Sequence, residues 1–300
     1  MPMPSAGSGR SAPVSEAADR DVGRLLADIF ASHQVADLTL PLAEDLPCTW
    51  PGHMPFRATV WTWFGPRPAD PQPVYPRTGG SYQTRWLVLD EHAGTHVDAP
   101  RHFIPPPGSG LPHAGPGGDV GVDRLPLLAT AGPADVVDVT GLDLAPNGMS
   151  PPVTPAHLER WEAANGPIQA GDAVLLRSDW DGNYLPGGEG DAYGTDTLIH
   201  RSQPGWPAPT PQAMEWLHDR GVRCVGTDGL SIGPAEGGAP THLAGLTRGM
   251  AFVEALAGLS QLPPRGAWFL FLPICLADGT GGPGRALAVL PAPARPAAST

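Results

Sequence analysis

Residues Glu91 to Phe103 read EHAGTHVDAPRHF, and three of the chain's ten histidines fall within them, at positions 92, 96 and 102, with Asp98 among them. All four positions are even. Side chains alternate along an extended strand, so His92, His96, Asp98 and His102 would point to one face. Ala93, Thr95, Val97 and Ala99 then supply the small or apolar reverse face that a packed strand needs. A single ion asks for more than a common face. Four extended residues at about 3.3 Å each would hold His92 and His96 roughly 13 Å apart, near the limit for two imidazoles reaching one ion. The chain is therefore expected to bend between them, and Gly94 is the residue most able to do so. Pro100 ends regular strand pairing and turns His102 back toward the cluster. Imidazole plus carboxylate suits a borderline divalent ion such as zinc or manganese. Taken one at a time, each histidine also fits an ordinary surface or core position.

On the N-terminal side, Asp21 is placed to cap a helix whose apolar residues Val22, Leu25, Leu26, Ile29 and Phe30 follow the spacing of one buried stripe. Val35–Leu40 reads as a strand with Leu38 and Leu40 on one face. Pro47 to Pro55 (PCTWPGHMP) is a proline-rich loop carrying Trp50. Arg57–Phe64 and Tyr82–Leu89 are strand candidates around a Pro/Gly loop, and Ile104–Gly118 is another such loop. Val136–Val139 and Val174–Arg177 read as short buried strands. Pro155–Asn165 and Pro211–Arg220 each follow a threonine N-cap with proline at the first helical position, and Gly221 stops the second. Arg223–Thr227, Met250–Glu254, Trp268–Leu272 and Ala286–Leu290 complete the strands. The pattern predicts one α/β domain over residues 21–300, with a mixed sheet and helices packed outside it. Residues 1–20 are small, polar and charged, and read as a disordered tail.

The 300 residues are 41% hydrophobic and carry a formal charge of −12. Such a surface repels phosphate backbones, and no long basic run would recruit an anionic membrane, so neither nucleic acid nor membrane is expected as a partner. The longest apolar stretch, Ala267–Ala277, is short of the roughly 20 residues a bilayer span requires, and no signal core opens the chain. A soluble, cytoplasmic protein is expected. Cys48, Cys224 and Cys275 are far apart and odd in number, which suggests reduced, mostly buried thiols rather than disulfides or a thiolate metal site. Gly279–Gly284 (GTGGPG) follows a strand and opens no clear helix, so it is not read as a phosphate loop.

H-A-G-T-H-V-D-A-P-R-H over residues 92–102 resembles the signature H-x-G-T-H-x-D-x-P-x-H of the cyclase family, which includes bacterial kynurenine formamidases. The likeness extends further. Gly226–Pro234 (GTDGLSIGP) resembles the family's G-x-D-x-x-S-x-x-P segment. His242 and Glu254 match its downstream metal ligands, Arg285–Leu290 (RALAVL) its closing strand, and the TWPG at Trp50 a loop on the substrate side. The resemblance implies a swivelling β/β/α domain, usually a homodimer or higher oligomer, with two zinc ions per chain. His92, His96 and Asp98 would hold the first metal. Asp98 would bridge to a second held by His242, and Glu254 would contact both. His102 matches the catalytic histidine and Trp50 the aromatic that contacts substrate. The chain is longer than kynurenine formamidase, with extra residues in the tail and around 65–80, 104–120 and 181–209, and His53 stands where family members often carry Asp.

On the residues alone, Glu254 in its apolar run is costly unless paired or metal-bound, though an edge-strand Glu facing water is the other reading. Asp228 is either an acceptor that holds a ligand histidine or a plain turn residue. Trp50 either stacks on an aromatic substrate or belongs to the core. The implied chemistry is metal-assisted hydrolysis of a small-molecule amide, with unliganded His102 moving the proton because its ordinary pKa lies near neutrality. An arylformamidase acting on N-formylkynurenine is the first expectation. A cyclic-amide hydrolase of the isatin hydrolase kind, which shares the signature, is the second. A metal-binding protein without catalysis is the third, and an unliganded His102 beside the ligands argues against it.

Overall fold

The computed structural model describes residues 21–64, 82–146 and 148–291. The tail read over residues 1–20 and the loop around 65–80 lie outside them. In chain order the elements are α1 (Val22–Ser32), β1 (Val35–Asp37), β2 (Arg57–Thr62), β3 (Thr84–Val88), β4 (His96–Asp98), β5 (Ala131–Asp138), β6 (Pro152–Val153) and α2 (Pro155–Asn165). They continue as β7 (Ala173–Arg177), β8 (Ala208–Pro209), α3 (Pro211–Asp219), β9 (Cys224–Thr227), α4 (Ala239–Leu246), β10 (Ala251–Glu254), β11 (Ala267–Pro273) and β12 (Gly281–Val289).

The eight-stranded sheet runs β1-β12-β11-β5-β7-β9-β10-β4, and β4 pairs back onto β12, so the mixed sheet closes on itself like a barrel. Strands β5, β7, β9 and β10 are mutually parallel. Parallel neighbours need crossovers, and α2, α3 and α4 lie in the three that join them. Their apolar residues alternate between two cores. Val136, Leu175 and Val253 face the interior cluster of the closed sheet, whereas Val137, Val174, Leu176 and Phe252 face the layer beneath the helices. Strands buried on both faces read as near-continuous apolar runs, which is why they are visible in the sequence.

The caps follow the sequence. Asp21 accepts from the Arg24 N–H, Thr210 accepts from the Ala213 N–H, and Thr154 with His157 forms a capping box at α2. Other expectations change. No residue of α1 is buried, and Val22 remains 65% exposed, so its apolar stripe does not reach the core of this chain. The strand expected over Val35–Leu40 ends at Asp37, with only an isolated bridge at Thr39. Strand β12 starts at Gly281, so most of the Gly-rich segment is strand. Helix α4 is an addition to the elements expected from the sequence. Cys48 and Cys224 are buried thiols, but Cys275 is exposed. Among the described residues no helix is long and apolar enough to cross a membrane.

Candidate metal centre

The cluster sits on the seam where the sheet closes. Strand β4 lies antiparallel to β10, with Glu254 opposite His96, and antiparallel to β12, with Gly281 opposite Asp98. Gly94 takes φ +58°, in the left-handed region, and a Cβ there would lie 2.6 Å from Leu42 Cδ2. Glycine therefore makes the bend, which brings the His92 and His96 rings to 5.0 Å between centroids. Pro100–His102 forms a 3-10 turn. It returns His102 to stack on His92 at 4.0 Å with 30° between planes. His242 enters from α4, with its ring stacked on Phe103 at 4.1 Å.

The backbone aims two of the rings. His96 Nδ1 lies 2.8 Å from the Gly94 carbonyl and His242 Nδ1 2.8 Å from the Gly238 carbonyl. A nitrogen that donates to a carbonyl leaves the other one free to face the centre. His96 Nε2 accordingly lies 3.5 Å from both Asp98 Oδ1 and Glu254 Oε2. His242 Nε2 lies 3.4 Å from Asp98 Oδ2 and 3.2 Å from Glu254 Oε1. His92 is turned the other way, with Nδ1 2.9 Å from Asp98 Oδ1. Glu254 is fixed by the Ile232 N–H at 2.7 Å and the Ser231 hydroxyl at 3.1 Å.

Carboxylates and imidazoles buried together polarise one another. Burial disfavours charged His96 and His242, but their contacts with Asp98 and Glu254 outweigh it and push both up to about 10. Burial would likewise raise Asp98, yet the surrounding histidines hold it well below the usual carboxylate range. Glu254 is opposed by burial and by Asp98, and His242 and His96 still bring it down to about 2. Asp98 is 1% exposed, and its Oδ2 makes no hydrogen bond. Two donor sets share this carboxylate, His92–His96–Asp98 and Asp98–His242–Glu254, and within each the donor atoms lie within 4.8 Å of one another. An unsatisfied buried carboxylate oxygen amid imidazole nitrogens is what a divalent cation would satisfy, so the residues fit one. His102 is not in either set. Its ring is desolvated by its surroundings, which, with His92 nearby, lowers its pKa against the pull of Asp98.

The cluster forms one wall of a cavity of about 340 Å3, whose other walls include Trp50, His53, Phe103 and Leu230. The structure thus brings His92, His96, His102, His242, Glu254 and Trp50 to one cavity, with Asp98 buried behind it. Trp50 also packs edge-on against Trp206 at 6.2 Å. His53 stands at the rim, 3.0 Å from Asp90. Asp228 does not hold a ligand histidine. It accepts from the backbone N–H groups of Ser178 and Asp179 and from the Ser178 hydroxyl, and so latches the loop after β7. Ser231 and Phe103 join the site without having been picked out in the sequence. Their only signal there is proximity, Ser231 within GTDGLSIGP and Phe103 beside His102.

The chain resembles known proteins in sequence and in fold. A family model described as "Putative cyclase" matches residues 36–234. Isatin hydrolase of Roseibium aggregatum is 34% identical over 223 residues, covering 72% of this chain and 78% of that protein. Kynurenine formamidase of Salinibacter ruber is 30% identical over 239 residues, covering 79% of this chain and 89% of that one. The solved structure of isatin hydrolase A from Labrenzia aggregata bound to benzyl benzoate superposes with a TM-score of 0.71 at 28% identity, covering 90% of this chain and 99% of that chain. Isatin hydrolase A from Ralstonia solanacearum gives 0.70 at 26% identity, covering 93% and 100%.

Proposed function

The chain belongs to the cyclase family, and from that premise we propose that it is a metal-dependent hydrolase of an aryl amide C–N bond, with a cyclic amide of the isatin kind as its substrate class. The observation that carries the reading is the buried donor set His92, His96, Asp98, His242 and Glu254, with unliganded His102 beside it at the wall of an aromatic-lined cavity. On this reading His92, His96 and Asp98 hold one zinc or manganese ion, and Asp98, His242 and Glu254 a second. A divalent cation there supplies Lewis-acid activation of water and of a carbonyl oxygen.

The chain's own residues do the rest. Trp50 and Phe103 offer aromatic faces that orient a flat substrate against the cluster. His102, neutral because its pKa is lowered, takes the proton of the attacking water and returns it to the departing nitrogen. One water is consumed: its oxygen joins the acyl carbon, one of its protons reaches the nitrogen through His102 to give an amine, and the other leaves to solvent as the carboxylic acid ionises to a carboxylate. In a cyclic amide both stay on one molecule; in an N-aryl formamide they separate.

The N-aryl formamide is the second reading, supported by the 30% identity to a kynurenine formamidase. The sequence motifs put it first; the 34% identity to an isatin hydrolase and the TM-scores of 0.71 and 0.70 favour the cyclic amide. A parallel assay of the zinc- and manganese-loaded protein on isatin and on N-formylkynurenine tests the order. Faster turnover of isatin supports it, faster turnover of N-formylkynurenine reverses it, and turnover of neither aryl amide by metal-replete protein refutes the proposal.

A further inference from the structure

Most of the Gly-rich segment lies on β12, and it contacts the one histidine among the candidate ligands that no backbone carbonyl orients. His92 Nε2 is 2.9 Å from the Thr280 hydroxyl. That hydroxyl is hydrogen-bonded to Glu91 Oε1, and the Thr280 backbone N–H donates to Glu91 Oε2 at 3.1 Å. A hydroxyl has one proton and a carboxylate only accepts. The Thr280 proton is therefore committed to Glu91, which leaves the Thr280 oxygen as an acceptor toward His92. His92 Nε2 must then carry a hydrogen that it keeps, and Nδ1, 2.9 Å from Asp98 Oδ1, is the nitrogen at which a cation would take the place of a proton.

We propose that Glu91 and Thr280 act as a positioning pair that fixes His92 in the tautomer offering Nδ1 to a metal, whereas His96 and His242 offer Nε2. The proposal rests on the metal-dependent reading above. The backbone supports it independently. A Cβ on Gly281 would lie 2.5 Å from His92 Cε1 and 2.8 Å from the Val97 carbonyl, so only glycine lets the strand close on the ring. The Thr280 carbonyl accepts from the Ala99 N–H at 2.9 Å, and Gly281 is paired with Asp98. The segment that holds His92 is thereby tied to the strand that presents Asp98. His102 stacks on His92, so the same pair sets the plane against which His102 rests. The glycines that read as a rejected phosphate loop make a close-fitting clasp for an imidazole.

The test is zinc titration of the full chain against a competing chelator, for wild type, Thr280→Val, Thr280→Ser, His92→Ala and the double variant His92→Ala/Thr280→Val. Alongside it, 15N spectra of histidine-labelled zinc-loaded protein read which ring nitrogen is bound. Removing a partner that orients a ligand histidine typically costs about 10- to 100-fold in metal affinity, so Thr280→Val should weaken zinc binding by that factor while Thr280→Ser restores it. In the His92→Ala background Thr280→Val should add nothing, because its effect runs through His92. The spectrum should show His92 with zinc on Nδ1 and a proton on Nε2. Wild-type affinity in Thr280→Val, an additive loss in the double variant, or zinc on His92 Nε2 would overturn the proposal and leave the metal reading standing. A wild-type protein that takes up no divalent cation would overturn both.

Discussion

Removing Asp98 should uncouple stability from metal. Asp98 is the donor shared by both sets, it is 1% exposed, and its Oδ2 has no hydrogen bond to lose. A ligand that binds only the native state stabilises it by mass action, by about 4.1 kcal/mol at a thousand times its Kd. Unfolding entropy near 2.1 cal/mol/K per residue over the roughly 250 residues of the folded part gives about 0.5 kcal/mol/K, so each site filled to that level should raise Tm by about 8 °C. In Asp98→Ala the two sets lose their common member, and the zinc-dependent rise should disappear. The metal-free Tm should fall too, because His96 and His242 then keep Glu254 as their only acidic partner in the cluster. Scanning calorimetry of untagged protein, first with chelator and then with excess zinc, reads both quantities. An Asp98→Ala variant that keeps the full zinc-dependent rise would refute the assignment of Asp98 to the metal.

The same geometry sets three more outcomes. In the proposed role His102 is a base in its neutral form, and its pKa is lowered, so the acid limb of kcat/KM should lie below pH 6.5, the ordinary histidine value; a limb above it would contradict the role. Trp50→Ala should raise KM for an aromatic amide by roughly 2- to 10-fold through a lost ring contact of about 0.5–1.5 kcal/mol, with kcat less affected, and an unchanged KM would remove Trp50 from the substrate wall. Asp228→Ala removes the acceptor of the Ser178 and Asp179 N–H groups, at about 0.5–1.5 kcal/mol for each hydrogen bond lost. Urea unfolding should register that loss while metal content stays at the wild-type level, and loss of metal would mean that Asp228 supports the ligands after all.

Residues whose chemistry is local were legible in the sequence. Gly94 announced a bend because few other residues take φ +58°, and Pro100 announced the turn that returns His102. The threonine and aspartate caps did the same for α1, α2 and α3. Features that depend on distant partners were not legible. Strand β4 is three residues long and exists because β10 and β12 flank it. The closure of the sheet falls on GTGGPG, which has no apolar alternation to signal a strand. Helix α4 follows Gly238 and carries Pro240 in its first turn, a composition that reads as loop until its buried side chains are seen. The α1 stripe was read correctly as apolar, but periodicity does not say what covers it. For the site, His242 came from family resemblance alone, and the resemblance decided between two readings of Glu254 in its apolar run; the structure brings them to Asp98 through α4 and β10. The opposite tautomer of His92 depends on Thr280, 188 positions away.

The cluster, on this account, performs metal-dependent amide hydrolysis with His102 as its proton carrier. The most direct measurement is metal content and kcat on the same preparations of wild type and His102→Ala, before and after chelation and reloading, with isatin or N-formylkynurenine as substrate. Metal-dependent hydrolysis through His102 requires wild-type turnover that vanishes on chelation and returns with zinc or manganese. It also requires a His102→Ala variant that keeps its metal while kcat falls by about 100- to 10,000-fold, the range of general acid–base catalysis. A metal-replete His102→Ala with near wild-type kcat, or wild-type turnover untouched by complete removal of metal, would contradict it.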